Sequence, residues 1–216
     1  RDLWVYTPPN HDSKTPLPVL LVLPAFAGTG EGLLARGLGD TSITTRFDHL
    51  IAQGCPPFIG VMPDTMTSLG GSQYINSPAI GRYADYVVSE VRDAVSSQFI
   101  TNGKWGAVGR SSGGFGAIHL ALEYPEQFQA IGCHAGDMGF DLMFLGEIGP
   151  ALRGVQELGG LENFLSNFWA KERPNAAQFA AFNLIAMACA YSPDETQKPI
   201  PAVFPVNFDT GVVNFE

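Results

Sequence analysis

Gly109-Arg110-Ser111-Ser112-Gly113 is the stretch that decides the fold of this chain. A short apolar run, residues 105–108, precedes it, and apolar residues return at helical spacing from Ala117 onward. This order predicts a strand, a sharp turn and a helix. In such a turn the residues two before and two after a serine nucleophile come so close together that glycine is needed at both places. Ser111 meets that requirement and Ser112 does not, because Arg110 would occupy one of the two places, so the sequence predicts Ser111 as the nucleophile.

The same turn could instead be an anion-binding loop, because backbone N–H groups at the start of a helix suit a phosphate. It lacks the Lys-Ser/Thr ending of a P-loop and the spacing of a Gly-x-Gly-x-x-Gly dinucleotide site. The bare Gly-x-Ser-x-Gly pattern is weak in a chain with 25 glycines. The strand before it and the helix after it therefore favour the nucleophile interpretation.

Composition limits the classes of partner. The chain has 216 residues, of which 45% are hydrophobic and 15% charged, and is long enough for one domain with a large core. Its net charge of −9, with lysine and arginine scattered, argues against a nucleic-acid surface or a polybasic membrane patch. The three cysteines are far apart in the sequence, so we expect buried thiols and no disulfide framework. We expect no nucleic-acid and no membrane partner, and the oligomeric state stays undetermined.

Strands and helices alternate along the first part of the sequence. Apolar runs of strand length occupy residues 3–6, 19–23, 58–62, 105–108 and 128–133. Helical patterns occupy residues 41–53, residues 79–99 and the stretch after the two serines. The alternation predicts an α/β fold, with a mostly parallel sheet and helices on both faces.

After Gly136 the alternation stops. Residues 138–150 are apolar but irregular, and two helices without an intervening strand are predicted near residues 161–171 and 176–190. We interpret residues 138–192 as a helical cap insertion. Residues 1–216 then form a single domain, which lacks the C-terminal strands that such a sheet needs.

A serine hydroxyl is a weak nucleophile until a base takes its proton, so Ser111 needs a histidine and a carboxylate behind that histidine. It also needs backbone N–H donors that face the oxygen on which negative charge develops. One oxyanion-hole donor should be the N–H of Ser112. The second is expected in the loop after residues 19–23, and our choice is Phe26 in Pro24-Ala25-Phe26.

Several motifs resemble the putative-esterase (esterase D-like) family of α/β-hydrolases. Besides the serine turn, they are Pro63-Asp64, Gly70-Gly71-Ser72-Gln73-Tyr74-Ile75-Asn76-Ser77-Pro78, Gly81-Arg82-Tyr83-Ala84-Asp85-Tyr86 and His134-Ala135-Gly136-Asp137-Met138-Gly139-Phe140. This family includes S-formylglutathione hydrolases, feruloyl esterases, enterochelin esterases and the antigen 85 mycolyltransferases. The likeness covers residues 3–140, whereas residues 176–216 show no match.

The resemblance implies an α/β-hydrolase fold and hydrolysis of a small carboxylic ester through an acyl-enzyme on Ser111, with no cofactor and no metal. The family's loop supplies an oxyanion amide, which supports Phe26, although Pro24-Ala25 stands where many members have His-Gly or Ser-Gly. Two alternatives stay open. Acyl transfer to an alcohol uses the same acyl-enzyme, and a non-catalytic homologue would use its pocket only to bind a ligand or partner.

The triad partners of Ser111 are hard to find in this sequence. In α/β-hydrolases the order is serine, acid, histidine, yet none of the four histidines follows residue 134. We expect His119 to be a packing residue and His134 to have a structural or pocket-lining role. Asp137 and Asp141 could line the pocket, and Asp64 could shape its loop. We therefore expect the natural chain to continue past the last residue with an acid and a histidine. A cytoplasmic location is favoured, and secretion stays open because the chain starts inside a predicted strand pair.

Overall fold

The computed structural model describes residues 1–35 and 41–214, which form two compact units. The first unit contains residues 1–66, 71–75 and 82–137, and the second contains residues 67–70, 76–81 and those from 138 onward.

The first unit is built on a five-stranded sheet. Its strands are β1 (Leu3–Tyr6), β2 (Leu17–Leu23), β3 (Ile59–Pro63), β4 (Thr101–Arg110) and β5 (Ala130–His134). Their order is β1-β3-β2-β4-β5, with β1 antiparallel to β3 and the other pairs parallel. The predicted α/β class and mostly parallel sheet are confirmed, and β2 and β4 are longer than the apolar runs that indicated them.

Helices cover both faces of this sheet. One face carries helix α1 (Ile43–Ala52), whose Phe47 packs with Val22 and Met62. The other face carries α2, a continuous helical segment made of Tyr83–Asp85, a π-helical turn Tyr86–Val91 and Arg92–Gln98, together with α3 (Ser112–Glu123). Side chains alternate along β2 between these two cores, as in a strand buried on both faces. Each valine or leucine buried in this way contributes roughly 1.5–3 kcal/mol to folding.

Helix α2 differs from its prediction over residues 79–99. It begins at Tyr83, because Gly81 has a φ of +119° and forms a short extended segment together with Arg82. The predicted stripe is confirmed, since Val87, Val91 and Val95 are all buried. On a regular α-helix, each residue of a stripe with a spacing of four is rotated by about 40° around the helix axis from the one before it. The π-helical turn has more residues per turn and keeps the stripe facing the sheet.

Among the described residues before β4 there are also four two-residue strands and one 3-10 helix. They are Glu31–Leu34 (3-10 helix), Met66–Thr67, Gly70–Gly71, Asn76–Ser77 and Gly81–Arg82.

The described part of the second unit contains four helices: α4 (Phe140–Phe144), α5 (Ile148–Glu157), α6 (Leu161–Trp169) and α7 (Ala176–Tyr191). The last two confirm the predicted pair. The first two were missed because glycines and Pro150 interrupt the helical pattern, although Pro150 lies in the first turn of α5, where proline is tolerated. None of the described helices is long and apolar enough to cross a membrane. The role of residues 138–192 as a cap stays a prediction.

The prediction of three buried thiols was wrong for two of them. Cys189 is buried in α7, but Cys55 and Cys133 are exposed. Cys55 follows the end of α1 in a Pro-rich loop, and Cys133 lies on β5, the last strand in the sheet order. Apolar neighbours in the sequence do not bury a side chain at a sheet edge.

Candidate active site

Ser111 lies at a sharp turn between β4 and α3. Its backbone has a φ of 55° and a ψ of −125°, a conformation that residues other than glycine rarely adopt. Two hydrogen bonds fix this turn, because the Ser111 N–H donates to the His134 carbonyl at 3.0 Å and the Phe115 N–H donates to the Ser111 carbonyl at 2.9 Å. Strain of this kind persists where the surrounding structure holds it, often at functional sites. The strand, turn and helix predicted from the sequence are confirmed.

The two glycines around Ser111 are sterically required. A Cβ atom on Gly109 would lie 2.3 Å from the carbonyl atoms of Gly113. A Cβ atom on Gly113 would lie 2.1 Å from the carbonyl oxygen of Leu23 at the end of β2. Both distances are far below van der Waals contact. The geometry of the turn therefore agrees with the glycine spacing from which Ser111 was predicted as the nucleophile.

A buried polar cluster adjoins the Ser111 hydroxyl. Ser111 Oγ donates to Asp137 Oδ1 at 2.9 Å, and Ser112 Oγ donates to Asp137 Oδ2 at 2.7 Å. Gln73 Nε2 donates to Ser112 Oγ at 2.9 Å. We call these four residues the Asp137 cluster. The sequence placed Asp137 only as a pocket residue and missed Gln73, whose one signal was its position in the Gly70–Pro78 motif.

The loop that follows β2 begins against the serine turn. The Gly113 Cβ position lies 2.9 Å from the Pro24 carbonyl oxygen. Beyond Pro24, the Gly28 N–H donates to the Ala25 carbonyl at 2.8 Å, which closes a turn with Phe26 and Ala27 at its centre. Phe26 therefore lies two residues after Pro24, whose backbone adjoins the serine turn. The role of the Phe26 N–H as an oxyanion donor stays a prediction.

The second predicted donor is at the start of α3. Ser112 is the first residue of this helix, so its N–H has no carbonyl partner within the helix. The helix N-terminus also carries a partial positive charge, which favours negative charge nearby. The oxyanion role of the Ser112 N–H stays a prediction that this position supports.

Tyr74 joins the loop after β2 to helix α3. Its hydroxyl donates to the Pro24 carbonyl at 2.5 Å, and its ring fills the space beside Gly116, where a Cβ atom would lie 2.2 Å from the ring. Burial raises the pKa of Tyr74, so its phenol stays a neutral donor at all working pH values. This contact was not found from the sequence, because it joins residues 50 positions apart.

Removal of the Tyr74 hydroxyl is expected to weaken this connection. Tyr74→Phe leaves the Pro24 carbonyl without its donor and should lower the free energy of unfolding by about 1–2 kcal/mol, measured by urea denaturation. Tyr124→Phe is the control, because the Tyr124 hydroxyl makes a longer bond, 3.3 Å to Asp85, in a less buried place. We expect it to cost less than about 0.5 kcal/mol. Equal losses in the two variants would contradict this interpretation.

The structure shows the surroundings of His49, His119 and His134. His119 stacks on Phe115 with ring centroids 5.7 Å apart, and burial lowers the pKa of His119, as expected for a packing residue. The carbonyl of His134 holds the Ser111 N–H, while its side chain is exposed. His49 lies exposed on α1. Within residues 1–35 and 41–214, no histidine side chain is hydrogen-bonded to Ser111.

The remaining predicted acids have separate positions. Asp64 accepts a hydrogen bond from the Met66 N–H at 3.1 Å, which confirms that it shapes its own loop. Asp141 is exposed in the first turn of α4. Among the described residues, no group of histidine, cysteine and acidic side chains could hold a metal ion.

Comparison with known proteins extends the likeness along the chain. A model of the family described as "Putative esterase" matches residues 1–181, further than the motifs alone reach. A ferulic acid esterase structure is 20% identical to this chain, with a TM-score of 0.50. The match covers 62% of this chain and 51% of the esterase chain. A ferulic acid esterase from Anaeromyces mucronatus, in complex with ferulic acid, is 15% identical, with coverages of 64% and 53% and a TM-score of 0.51.

An S-formylglutathione hydrolase from Agrobacterium tumefaciens is 21% identical, with coverages of 60% and 50% and a TM-score of 0.45. The two ferulic acid esterases show that the fold is shared. This chain spans about half the length of these three proteins.

Proposed function

This chain belongs to the putative-esterase family of α/β-hydrolases, and from that premise we propose that it is a serine carboxylic-ester hydrolase with Ser111 as its nucleophile. The observation that carries the proposal is the strained backbone of Ser111 between two glycines that no larger residue can replace. A turn of this shape exposes a serine hydroxyl at the end of a strand, which is the arrangement that nucleophilic attack requires.

The proposed reaction proceeds in two steps. Ser111 Oγ attacks the carbonyl carbon of a small ester as a general base takes its proton, and the alcohol leaves from the tetrahedral intermediate. Water then hydrolyses the acyl-enzyme by the same route in reverse. The N–H groups of Ser112 and Phe26 would stabilise the negative oxygen in both steps, and loss of one such donor typically costs about 3–4 kcal/mol.

The substrate class follows from the same chemistry. A nucleophilic serine with backbone donors suits esters of small carboxylic acids, and the ferulic acid bound to the Anaeromyces mucronatus relative is an acid of this type. The chemistry uses only side chains and backbone, so it needs no metal. We infer a small-molecule ester as the substrate.

The test is turnover by the full-length protein. We expect hydrolysis of p-nitrophenyl acetate and of a feruloyl ester, with kcat/KM staying within about twofold after EDTA treatment. A folded full-length protein that is inert toward aryl, feruloyl and thioesters would overturn the proposal. Loss of activity with EDTA and recovery with a divalent metal would replace it with a metal-dependent mechanism.

A further inference from the structure

The Asp137 carboxylate is shared between the nucleophile and its neighbour. One oxygen accepts the Ser111 hydroxyl and the other accepts the Ser112 hydroxyl, at 2.9 and 2.7 Å. The side chain is enclosed, because Asp137 is only 9% exposed and Ser112 only 1%. Gln73, which is fully buried, donates to the same Ser112 oxygen. Ser112 therefore has a fixed orientation, and through it so does Asp137.

The backbone also fixes the position of Asp137. A Cβ atom on Gly136 would lie 3.0 Å from Phe115 N, and one on Gly114 would lie 3.0 Å from Gly136 Cα. The segment that carries Asp137 is thus packed directly on the first turn of α3. An exchange of the carboxylate for an amide of the same shape leaves these contacts intact.

In the described parts of the chain, no positively charged side chain forms an ion pair with Asp137. The ionisable groups on the elements around it are Lys104 and Arg110 on β4, His119 and Glu123 on α3, Cys133 and His134 on β5, and Tyr74. Within residues 1–35 and 41–214, none of them is paired with or hydrogen-bonded to the Asp137 carboxylate. Burial of a charge without a partner of opposite charge is unfavourable, and acidic side chains are rarely buried in this way.

We propose that Asp137 is a further catalytic residue, which holds the Ser111 hydroxyl in one rotamer and places a negative charge beside the nucleophile. The proposal rests on the ester-hydrolase function. Ser112 and Gln73 are positioning residues, because they act through the carboxylate. Asp137 fixes the position of Ser111 Oγ and does not take its proton. When the ester binds, the single hydroxyl proton turns about the Cβ–Oγ bond from Asp137 to the general base. It passes to that base as the bond from Oγ to the ester carbon forms, and the carboxylate stabilises the positive charge of the protonated base.

This role predicts an effect on pH dependence that simple anchoring would not produce. Activity rises with pH as the general base loses its proton. A negative charge nearby favours the protonated base and raises its pKa, so loss of that charge moves the rise to lower pH. A residue that only anchored the segment after β5 would change stability and leave the position of the rise unchanged.

The experiment compares Asp137→Asn, Ser112→Ala and the control Asp93→Asn in the full-length protein. Asp93→Asn makes the same chemical change on an exposed side chain of helix α2. We expect Asp137→Asn to lower kcat about 10- to 100-fold with KM within about threefold, and to move the acid limb of the kcat/KM profile to lower pH by about half a pH unit. Ser112→Ala should lower kcat about 3- to 10-fold. Asp93→Asn should match the wild type.

Thermal unfolding followed by circular dichroism checks that each variant is folded. A folded Asp137→Asn variant with wild-type kcat and an unmoved acid limb would overturn the role of Asp137. A lower kcat with an unmoved limb would also overturn it, in favour of anchoring. Failure of the ester-hydrolase function is a separate outcome, because the wild type itself would then show neither ester turnover nor labelling of Ser111 by a fluorophosphonate.

Discussion

Ser111→Ala is expected to lower kcat/KM for p-nitrophenyl acetate by about 10⁴-fold or more and to abolish labelling by a fluorophosphonate probe. The alanine keeps the backbone and the surrounding glycines but removes the only atom of this residue that can form an acyl-enzyme. Replacement of the hydroxyl by hydrogen at a half-buried position should leave folding intact. The measurement is steady-state hydrolysis, combined with mass spectrometry of the labelled peptide.

Ser112→Ala provides the matched comparison, because it removes a neighbouring hydroxyl from the same turn. It keeps the Ser112 N–H and leaves the Ser111 hydroxyl in place, so we expect reduced turnover with labelling still at Ser111. The steric reason is that only Ser111 has glycine two residues away on both sides. Labelling at Ser112, or wild-type turnover in Ser111→Ala, would contradict the assignment of the nucleophile.

The turn around Ser111 could be predicted because its requirements are local. Glycine spacing is a steric rule over five residues, and the structure shows the close contacts that this rule assumes. The parallel sheet was predictable for a similar reason, since a strand buried on both faces is apolar at every position, as Val19 to Leu23 are. Both conclusions needed only the chain on either side of each residue.

The Asp137 cluster could not be predicted because its contacts are not local. Gln73 meets Ser112 across 39 positions and Asp137 meets Ser112 across 25, and only the folded sheet brings them together. The start of α2 was misplaced for another reason. The apolar stripe continues before Tyr83. The positive φ of Gly81, which prevents the helix from starting earlier, has no effect on hydrophobic periodicity.

Gly113→Ala is expected to damage both folding and catalysis, although it adds a single methyl group. That methyl would lie 2.1 Å from the Leu23 carbonyl oxygen and 2.9 Å from the Pro24 carbonyl oxygen, both of which are backbone atoms that cannot rotate away. Helix α3 or the end of β2 must shift. Overpacking against fixed backbone should lower the free energy of unfolding by about 3 kcal/mol or more, measured by urea denaturation.

The same shift would displace the Ser111 turn from the loop that begins at Pro24, so ester turnover should fall by about 100-fold or more even where the variant stays folded. Gly149→Ala is the control, because the added methyl lies in helix α5 and meets only the Arg153 side chain at 4.0 Å. Alanine is the better helix former, so this control should be neutral or stabilise the protein by up to about 1 kcal/mol, with unchanged turnover. If Gly113→Ala were as stable and as active as Gly149→Ala, the close approach of Gly113 to β2 would not be what fixes the position of Ser111.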